Sequence, residues 1–402
     1  MTTRVLIIVQ NLPVPFDRRV WLECRALVSA GYDVSVVCPK GKGDPSYQVL
    51  DSVRLYKYRP YAPGGSKLSF ITEYAYSFVA TTRLVARARR AGRLTVLQAC
   101  NPPDIFWPLA LLLRWLDGTA FVFDHHDLCP ELFQSRFPGG PKLPYRGLRA
   151  LERATHRTAG HVIATNDSYR DIAIHRSGKA PADVTVVRTG PDPDRLRRSE
   201  ADPALRRGRR FLAAYIGVMG PQDGVDIVVR AADIVVRELG RTDIAFTLIG
   251  SGDSYAELVA LRDELGLGGH VEFTGRASDE LVGQIMSTAD LGLSPDPKNP
   301  LNDVSTMNKS MEYMAYELPV LAFDLRETRV SCAEAAVYVR PNDVRDYAEA
   351  IVALMDDEPR RAELGKLGRL RVEQELAWSH QRRAYLDVYR RVTGRGQRRA
   401  GS

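Results

Sequence analysis

The chain has 402 residues, 45% of them hydrophobic and 26% charged, with 31 Gly and 24 Pro. That length buries large cores in two or three domains, and the composition excludes a disordered, collagenous or disulfide-scaffold protein. The formal net charge of +7 is unevenly placed: residues 1–200 carry 29 Lys and Arg against 18 Asp and Glu, whereas 201–402 carry 27 against 31. On charge alone the basic half is either ordinary Arg-rich surface, since only 9 of the 56 basic residues are Lys, or a face for anionic lipid or a phosphorylated acceptor.

Met1-Thr2-Thr3-Arg4 leads straight into a strand-like run, so no signal peptide is expected. The first-half strand candidates are Val5–Val9, Val34–Cys38, Leu94–Ala99, Phe121–Asp124, Val162–Thr165 and Val184–Val187. Those of the second half are Phe211–Ile216, Phe246–Ile249, Val271–Thr274, Leu291–Ser294, Val320–Phe323 and Ala336–Val339. Near-continuous apolar runs of this kind are strands covered on both faces, hence parallel sheets with helical crossovers. Val20, Cys24, Leu27 and Val28 keep helical spacing behind Asp17 as N-cap, and so do the apolar positions from Val225 to Leu239. Strand and helix alternate through two series, which gives two doubly wound α/β domains.

A turn cluster at Thr189–Pro193 and the polar stretch Arg195–Arg210, with seven Arg, mark the seam. Trp378–Val392 reads as a final helix with Tyr385, Val388, Tyr389 and Val392 on one face, and residues 394–402 as a disordered basic tail. The longest apolar stretch, Ile105–Leu116, is broken by Pro108 and Arg114. It falls short of the roughly 20 residues that span a bilayer. Cys24, Cys38, Cys100, Cys129 and Cys332 form no C-x-x-C pair. They are expected to be free thiols in a reducing compartment, with no zinc site.

Two segments carry chemistry. Ile249-Gly-Ser-Gly252 ends a strand with glycines that let backbone N–H groups approach a phosphate, or simply make a tight turn. Tyr255 leaves G-x-G-x-x-G incomplete, which weighs against a dinucleotide site. The second segment runs from Leu291-Gly-Leu-Ser-Pro295 through a loop to a helix start at Thr306, Met307, Asn308, Lys309 and Ser310. A helix N-terminus beside Lys309 is an anion site, and Glu312 one turn on can accept hydrogen bonds from a ribose diol. The alternative makes Lys309 and Glu312 surface helix charges.

Taken in order, these pieces resemble the family 4 glycosyltransferases of the GT-B fold over nearly the whole chain. The matching pieces are Leu6–Glu23, Ala30–Cys38, Asp124-His-His-Asp-Leu-Cys-Pro-Glu131, Val187–Gly190, Phe246–Gly252, Val271–Arg276 and Glu312-Tyr-Met-Ala-Tyr-Glu-Leu-Pro-Val320. The resemblance implies two Rossmann-like doubly wound domains around a central cleft. Residues 1–195 would bind the acceptor, with 378–393 crossing back onto them, and 205–377 would bind the donor. It implies a retaining, metal-independent transfer of sugar from a nucleotide-diphosphate sugar, with uridine as the family-level expectation for the base. No cofactor is implied. The acceptor would be a glycan, a lipid-linked molecule or a small molecule; nucleic acid is not an implied partner.

By the same resemblance Glu312 would hold ribose and Arg276 the base. Gly217, Gly250, Gly252 and residues 306–310 would surround the diphosphate, and His126 would line the catalytic cleft. His125 and His126 point opposite ways in an extended segment. His126 is preferred because His126-Asp127 matches the family's His-Asp pair, and His125 is kept on the acceptor side. Asp17, Arg18 and Arg19 follow the first strand, where they would meet acceptor or phosphate; Asp17 serves equally well as a helix cap alone.

Three departures stand out. The E-x7-E pattern of many relatives is incomplete: Val304 holds the first position, and Asp303 could replace it only by a shift of the loop. Gly217–Gly224 lacks the Arg and Lys that clamp the diphosphate in relatives, which leaves that charge to Lys309. Leu12-Pro-Val-Pro15 replaces the usual glycine pair of the first loop. These departures keep a second reading open, a non-catalytic nucleotide-sugar-binding module or partner subunit. A tandem-Rossmann dehydrogenase would need the missing glycine fingerprint. Tyr56–Phe78, with scattered aromatic and basic residues, and the five Arg of 83–93 would suit an anionic membrane surface or a solvated amphipathic helix. The expected location is the cytoplasm, with peripheral attachment to the inner face of the membrane as its variant.

Overall fold

The computed structural model describes residues 3–61, 67–137 and 139–399. The chain folds as two compact units. One runs up to Gln134, continues over Gly139–Thr189 and takes in the chain from Gln381; the other is Gly190–His380 with the short piece Ser135–Pro138.

The first unit is built on an eight-stranded sheet: β1 Arg4–Ile8, β2 Asp33–Pro39, β3 Tyr47–Leu50, β4 Val53–Tyr58, β5 Val96–Cys100, β6 Ala120–His125, β7 His161–Ala164 and β8 Val184–Val186. Its order is β3-β4-β2-β1-β5-β6-β7-β8, and every pairing is parallel except β3 with β4. The direction of winding reverses between β1 and β5, the place where such sheets open a ligand crevice.

The β3–β4 hairpin was not expected. Asp51 and Ser52 both sit at positive φ (45° and 65°), the geometry of a two-residue hairpin turn that normally signals itself with Gly. The aromatic and basic segment from Tyr56 therefore begins in a buried strand, where Tyr56, Lys57 and Tyr58 are covered. Residues 62–66 of that segment lie outside the described residues. The helix Lys67–Arg89 follows, and Arg89 is bound to Asp117 at 2.6 and 2.8 Å. Among the described residues no helix is long and apolar enough to cross a membrane.

Helix α1 (Arg18–Ser29) starts where Asp17 accepts a hydrogen bond from Val20 N at 3.0 Å, and it buries Val20, Cys24 and Leu27. Helices α2 (Trp107–Asp117) and α3 (Lys142–Thr158) pack against each other. The chain's final helix, Trp378–Arg399, buries Tyr385, Val388, Tyr389 and Val392. The hydroxyls of Tyr385 and Tyr389 both meet Oε1 of Gln98 on β5, the former at 2.9 Å, while Gln98 Nε2 donates to Glu23 at 2.7 Å. This helix continues to Arg399, so residues 394–399 are helical rather than the tail expected there; 400–402 lie outside the described residues.

The second unit has six parallel strands: β9 Phe211–Ile216, β10 Ile244–Ile249, β11 Val271–Gly275, β12 Leu291–Ser294, β13 Val320–Phe323 and β14 Ala336–Val339. Their order is β11-β10-β9-β12-β13-β14, with the reversal between β9 and β12. Along β9, Phe211, Ala213 and Tyr215 enter one core, and Leu212 and Ala214 the other. Burial of both faces is why these strands read as unbroken apolar runs. The Arg-rich stretch expected to link the domains lies on this unit: Arg206 pairs with Asp290, and Arg198 Nε donates to Ser287 O at 3.2 Å. Helix α4 (Asn308–Ala315) follows the long loop after β12. Of the five free cysteines, Cys24, Cys38, Cys100 and Cys332 are buried and Cys129 is half-buried.

Gln98→Leu would leave the buried Glu23 carboxylate and two tyrosine hydroxyls without their shared partner. A loss of about 2–3 kcal/mol is expected, read as a lower urea midpoint. An unchanged midpoint would show that this polar cluster does not fasten the final helix.

Candidate functional site

In the second unit the loops that leave the strands at their carboxyl ends are knitted together at the point of reversal. Gly217 N donates to Ile249 O at 3.0 Å, and Gly250 N to Gly275 O at 2.9 Å. A Cβ on Gly250 (φ 136°) would stand 1.8 Å from Gly217 O, and one on Gly252 would stand 2.5 Å from Met219 O. These two glycines let the β9 and β10 loops touch backbone to backbone. A Cβ on Gly217 would lie 2.8 Å from Tyr215 Oη and 3.3 Å from Lys309 Cε. Gly217, Gly250, Gly252 and Lys309 are thus brought together from positions far apart in sequence.

Lys309 is mostly buried. Its ammonium pairs with Asp296 Oδ1 and lies 5.4 Å from the centre of the Tyr215 ring. Asp296 is buried and accepts a further bond from Ser294 Oγ at 2.7 Å. Burial pushes the Asp223 carboxyl up to about 6, with Asp296 adding to the rise and Lys309 opposing it. Neither Asp296 nor Asp223 stood out in the sequence. The Ser-Pro-Asp run just after β12 was the one local sign of Asp296, because carboxylates there face the point of reversal.

Helix α4 has no side-chain cap at Met307, so the N–H groups of its first turn keep the anion-binding character expected there. The side chains of Met307 and Ser310 do not serve the site. Met307 joins the core, and Ser310 Oγ bonds Ser294 Oγ at 3.0 Å. Asn308 is exposed; Thr306 and Glu312 are half-buried. Arg276 is exposed after β11, and its Nε reaches Ser251 Oγ at 3.3 Å. Asp303 is a correction. It accepts from Arg326 N at 3.1 Å and lies 3.6 Å from Lys298 Nζ, so it anchors the start of the next helix. The carboxylate that meets Lys309 is Asp296.

In the first unit the side chains converge on Asp124 at the end of β6. Arg19 Nη2 donates to Asp124 Oδ1 at 2.9 Å, and its Nη1 donates to Val187 O (2.9 Å) and Thr189 Oγ1 (3.1 Å). Glu23 lies 3.2 Å from Arg19 Nε. Burial alone would raise the Asp124 pKa, but Arg19 and His126 hold it far below the ordinary carboxylate range. Glu23 shows the reverse: burial and the Asp124 charge push it well up.

His126 is partly exposed. Its N donates to Asn101 Oδ1 at 2.6 Å, and its Nε2 lies 2.7 Å from Asp124 Oδ2. The same Nε2 lies 3.0 Å from Arg19 Nε, so Asp124 and Arg19 together hold that edge of the ring and Nδ1 is on the opposite edge. His125 points the other way, as the two-residue period requires. It is fully buried, with ring centres 4.7 Å from His156, 5.4 Å from Phe123 and 5.2 Å from Tyr169. Burial drives its pKa well below the ordinary range. His125 is thus a core residue rather than an acceptor ligand. Arg19, also read as acceptor-facing, is buried under Asp124, and Asp17 caps α1; Arg18 is exposed.

Cys100, Asp124 and His126 bring three donor atoms within 4.8 Å of one another. They do not fit a cation. The Arg19 guanidinium already occupies Asp124, and burial pushes the Cys100 thiol well up.

Two units, each with a parallel sheet whose order reverses once and each with polar residues at the carboxyl ends of its strands, define the GT-B class. The fold matches sucrose-phosphate synthase from Thermosynechococcus elongatus with a TM-score of 0.79 at 17% identity, over 98% of this chain and 99% of that one. It also matches Anabaena HepE, solved in complex with UDP-glucose, with a TM-score of 0.72 at 15% identity, over 96% and 99%. Residues 17–195 match Glycosyltransferase Family 4, and residues 210–357 match Glycosyl transferases group 1. The chain belongs to the family 4 glycosyltransferases. It is 29% identical over 295 residues to the D-inositol 3-phosphate glycosyltransferase of Thermomonospora curvata. That alignment takes in 69% of this chain and 66% of the relative, just under two thirds of the relative's own length.

Arg19→Leu would strand the Asp124 charge in the core. A destabilisation of about 3–5 kcal/mol is expected in chemical denaturation at pH 7. Arg19→Lys should recover little of it, because one ammonium cannot bond Asp124, Val187 O and Thr189 together. Wild-type stability in either variant would remove Arg19 from its structural role.

Proposed function

We infer that the chain transfers a sugar from a nucleotide-diphosphate sugar, with UDP as the nucleotide, to an acceptor hydroxyl with retention of configuration and without a metal. The observation that carries this reading is Lys309, held at the loops of Gly217, Gly250 and Gly252 beside the uncapped start of α4. In the proposed reaction the bond between the anomeric carbon and the diphosphate oxygen breaks first. Lys309 and the amides of 306–310 take up the charge of the departing diphosphate. The acceptor oxygen then bonds to the same face, and its proton passes to a phosphate oxygen. No carboxylate nucleophile is needed, in keeping with Val304 at the position of the absent Glu.

Glu312 would bind ribose and Arg276 the base, while Lys309 supplies the cation that Gly217–Gly224 lacks. In the first unit His126 Nδ1 would meet a sugar hydroxyl, its ring held by Asp124 and Arg19. HepE, solved with UDP-glucose, supports the choice of nucleotide. The non-catalytic alternative rests on the missing cations; Lys309 at that loop supports the catalytic reading over it.

Incubation with a panel of nucleotide sugars should give slow donor hydrolysis that chelators leave unchanged. Lys309→Ala should lower both nucleotide affinity and turnover at least tenfold. His126→Ala should cut transfer more than affinity. Unchanged kinetics in Lys309→Ala would overturn the assignment.

UDP affinity should also depend on pH. Below about pH 6 Asp223 takes up a proton and one negative charge leaves the vicinity of the diphosphate, so binding tightens as pH falls through that value. The ionised form is the one that burial penalises. Asp223 therefore favours the fold at low pH, and that contribution is lost as pH rises from the unfolded value near 4 through about 6. Asp223→Asn should flatten the UDP-binding profile between pH 5 and 7 in calorimetric titrations; an unaltered profile would exclude Asp223 as its source.

A further inference from the structure

The arginines of this chain are mostly spoken for. Arg4 and Arg54 share Asp33, Arg89 holds Asp117, Arg206 holds Asp290, and Arg241 holds Asp243 and Asp356. One group differs. Lys142, Arg146, Arg149 and Arg153 recur along α3 at spacings of four, three and four residues, which places them on one helical stripe. None of the four makes a hydrogen bond or ion pair within the described residues. Like charges at this spacing each cost a helix a few tenths of a kcal/mol, and among the described residues only Glu152 is felt by the stripe, through Arg149.

The stripe lines a cavity of about 560 Å³, together with Tyr145 and Arg176. Arg176 is fastened from behind: Nη2 lies 2.9 Å from Glu131 and Nη1 3.2 Å from Glu152. Burial pushes the Glu152 carboxyl up to about 8, so near neutrality it subtracts little from the cationic wall. Glu152 in turn lies 3.9 Å from His125, the neighbour of His126. As the crossover from β6 to β7, α3 begins at the edge of the sheet where the strands end and ligands bind.

We propose that this cavity binds a phosphate group carried by the acceptor, either a phosphorylated small molecule or the head group of an anionic lipid. The inference deepens the transferase reading and rests on it for the word acceptor. Five guanidinium and ammonium groups suit a phosphate dianion, which arginine grips through paired N–H groups. The volume exceeds a bare ion and falls in the range of small-molecule pockets. Leu143 is 80% exposed at the start of α3, and Trp115 is 81% exposed on the adjoining α2. A lipid surface is therefore one of the two sources to test.

The experiment uses the full chain and a triple variant, Arg146→Gln with Arg149→Gln and Arg153→Gln, in phosphate-free buffer at low salt. Glucose 6-phosphate is titrated calorimetrically with UDP present to fill the donor half. Vesicles of phosphatidylglycerol and phosphatidylcholine are floated in parallel. Saturable glucose 6-phosphate binding that weakens at least tenfold in the triple variant assigns the site to a soluble phosphate. Flotation lost in the triple variant, without glucose 6-phosphate binding, assigns it to a lipid head group. Binding to neither probe, or equal binding by both proteins, overturns the proposal. UDP affinity should be the same in both proteins. A wild-type chain that binds no UDP would instead count against the transferase reading, and the two phosphate arms would still decide the pocket.

Discussion

A parallel sheet covered on both faces directs every strand toward the same edge, and this constraint organises both units. The loops leaving that edge are the one place where polar side chains from distant parts of the sequence can meet without crossing the core. Lys309, Asp296, Asp223 and the glycines of the β9 and β10 loops collect there in the second unit. Asp124, His126 and Arg19 do so in the first.

The two collections handle buried charge differently. Arg19 and Asp124 form a closed pair, with further bonds to Val187 and Thr189 that leave neither partner free. Such a pair sets the orientation of His126, and it cannot itself meet a ligand. Lys309 has a single carboxylate partner and an aromatic face beside it. An arriving diphosphate would compete with Asp296 for that ammonium. Asp223 stands close enough to feel both charges, which makes the local balance sensitive to pH near 6.

Much of this was legible in the sequence, and what was not has identifiable causes. Twelve strands announced themselves as apolar runs because parallel strands are buried on both sides. The β3–β4 hairpin escaped notice because its turn uses Asp51-Ser52 in place of a glycine pair. That His125 and His126 face opposite ways follows from strand periodicity. Which of them enters the core was settled by His156 and Tyr169, brought there by other elements. Asp303 looked like a shifted replacement for the missing Glu until the fold gave it to Arg326 and Lys298. Asp296 could not be paired with Lys309 in advance, since twelve residues, most of them a long loop, stand between them.

By itself, then, the sequence determined the α/β class, the repetition of the doubly wound pattern, the helix cap at Asp17, and the presence of a cation at a helix start. These are local properties, written in periodicity, turn chemistry and the identity of neighbouring residues. The tertiary structure decided which carboxylate each cation meets, which histidine is buried, and that four basic residues along α3 line a cavity without partners. Those outcomes depend on contacts between segments far apart in the chain, and no local pattern encodes which buried charges will find each other.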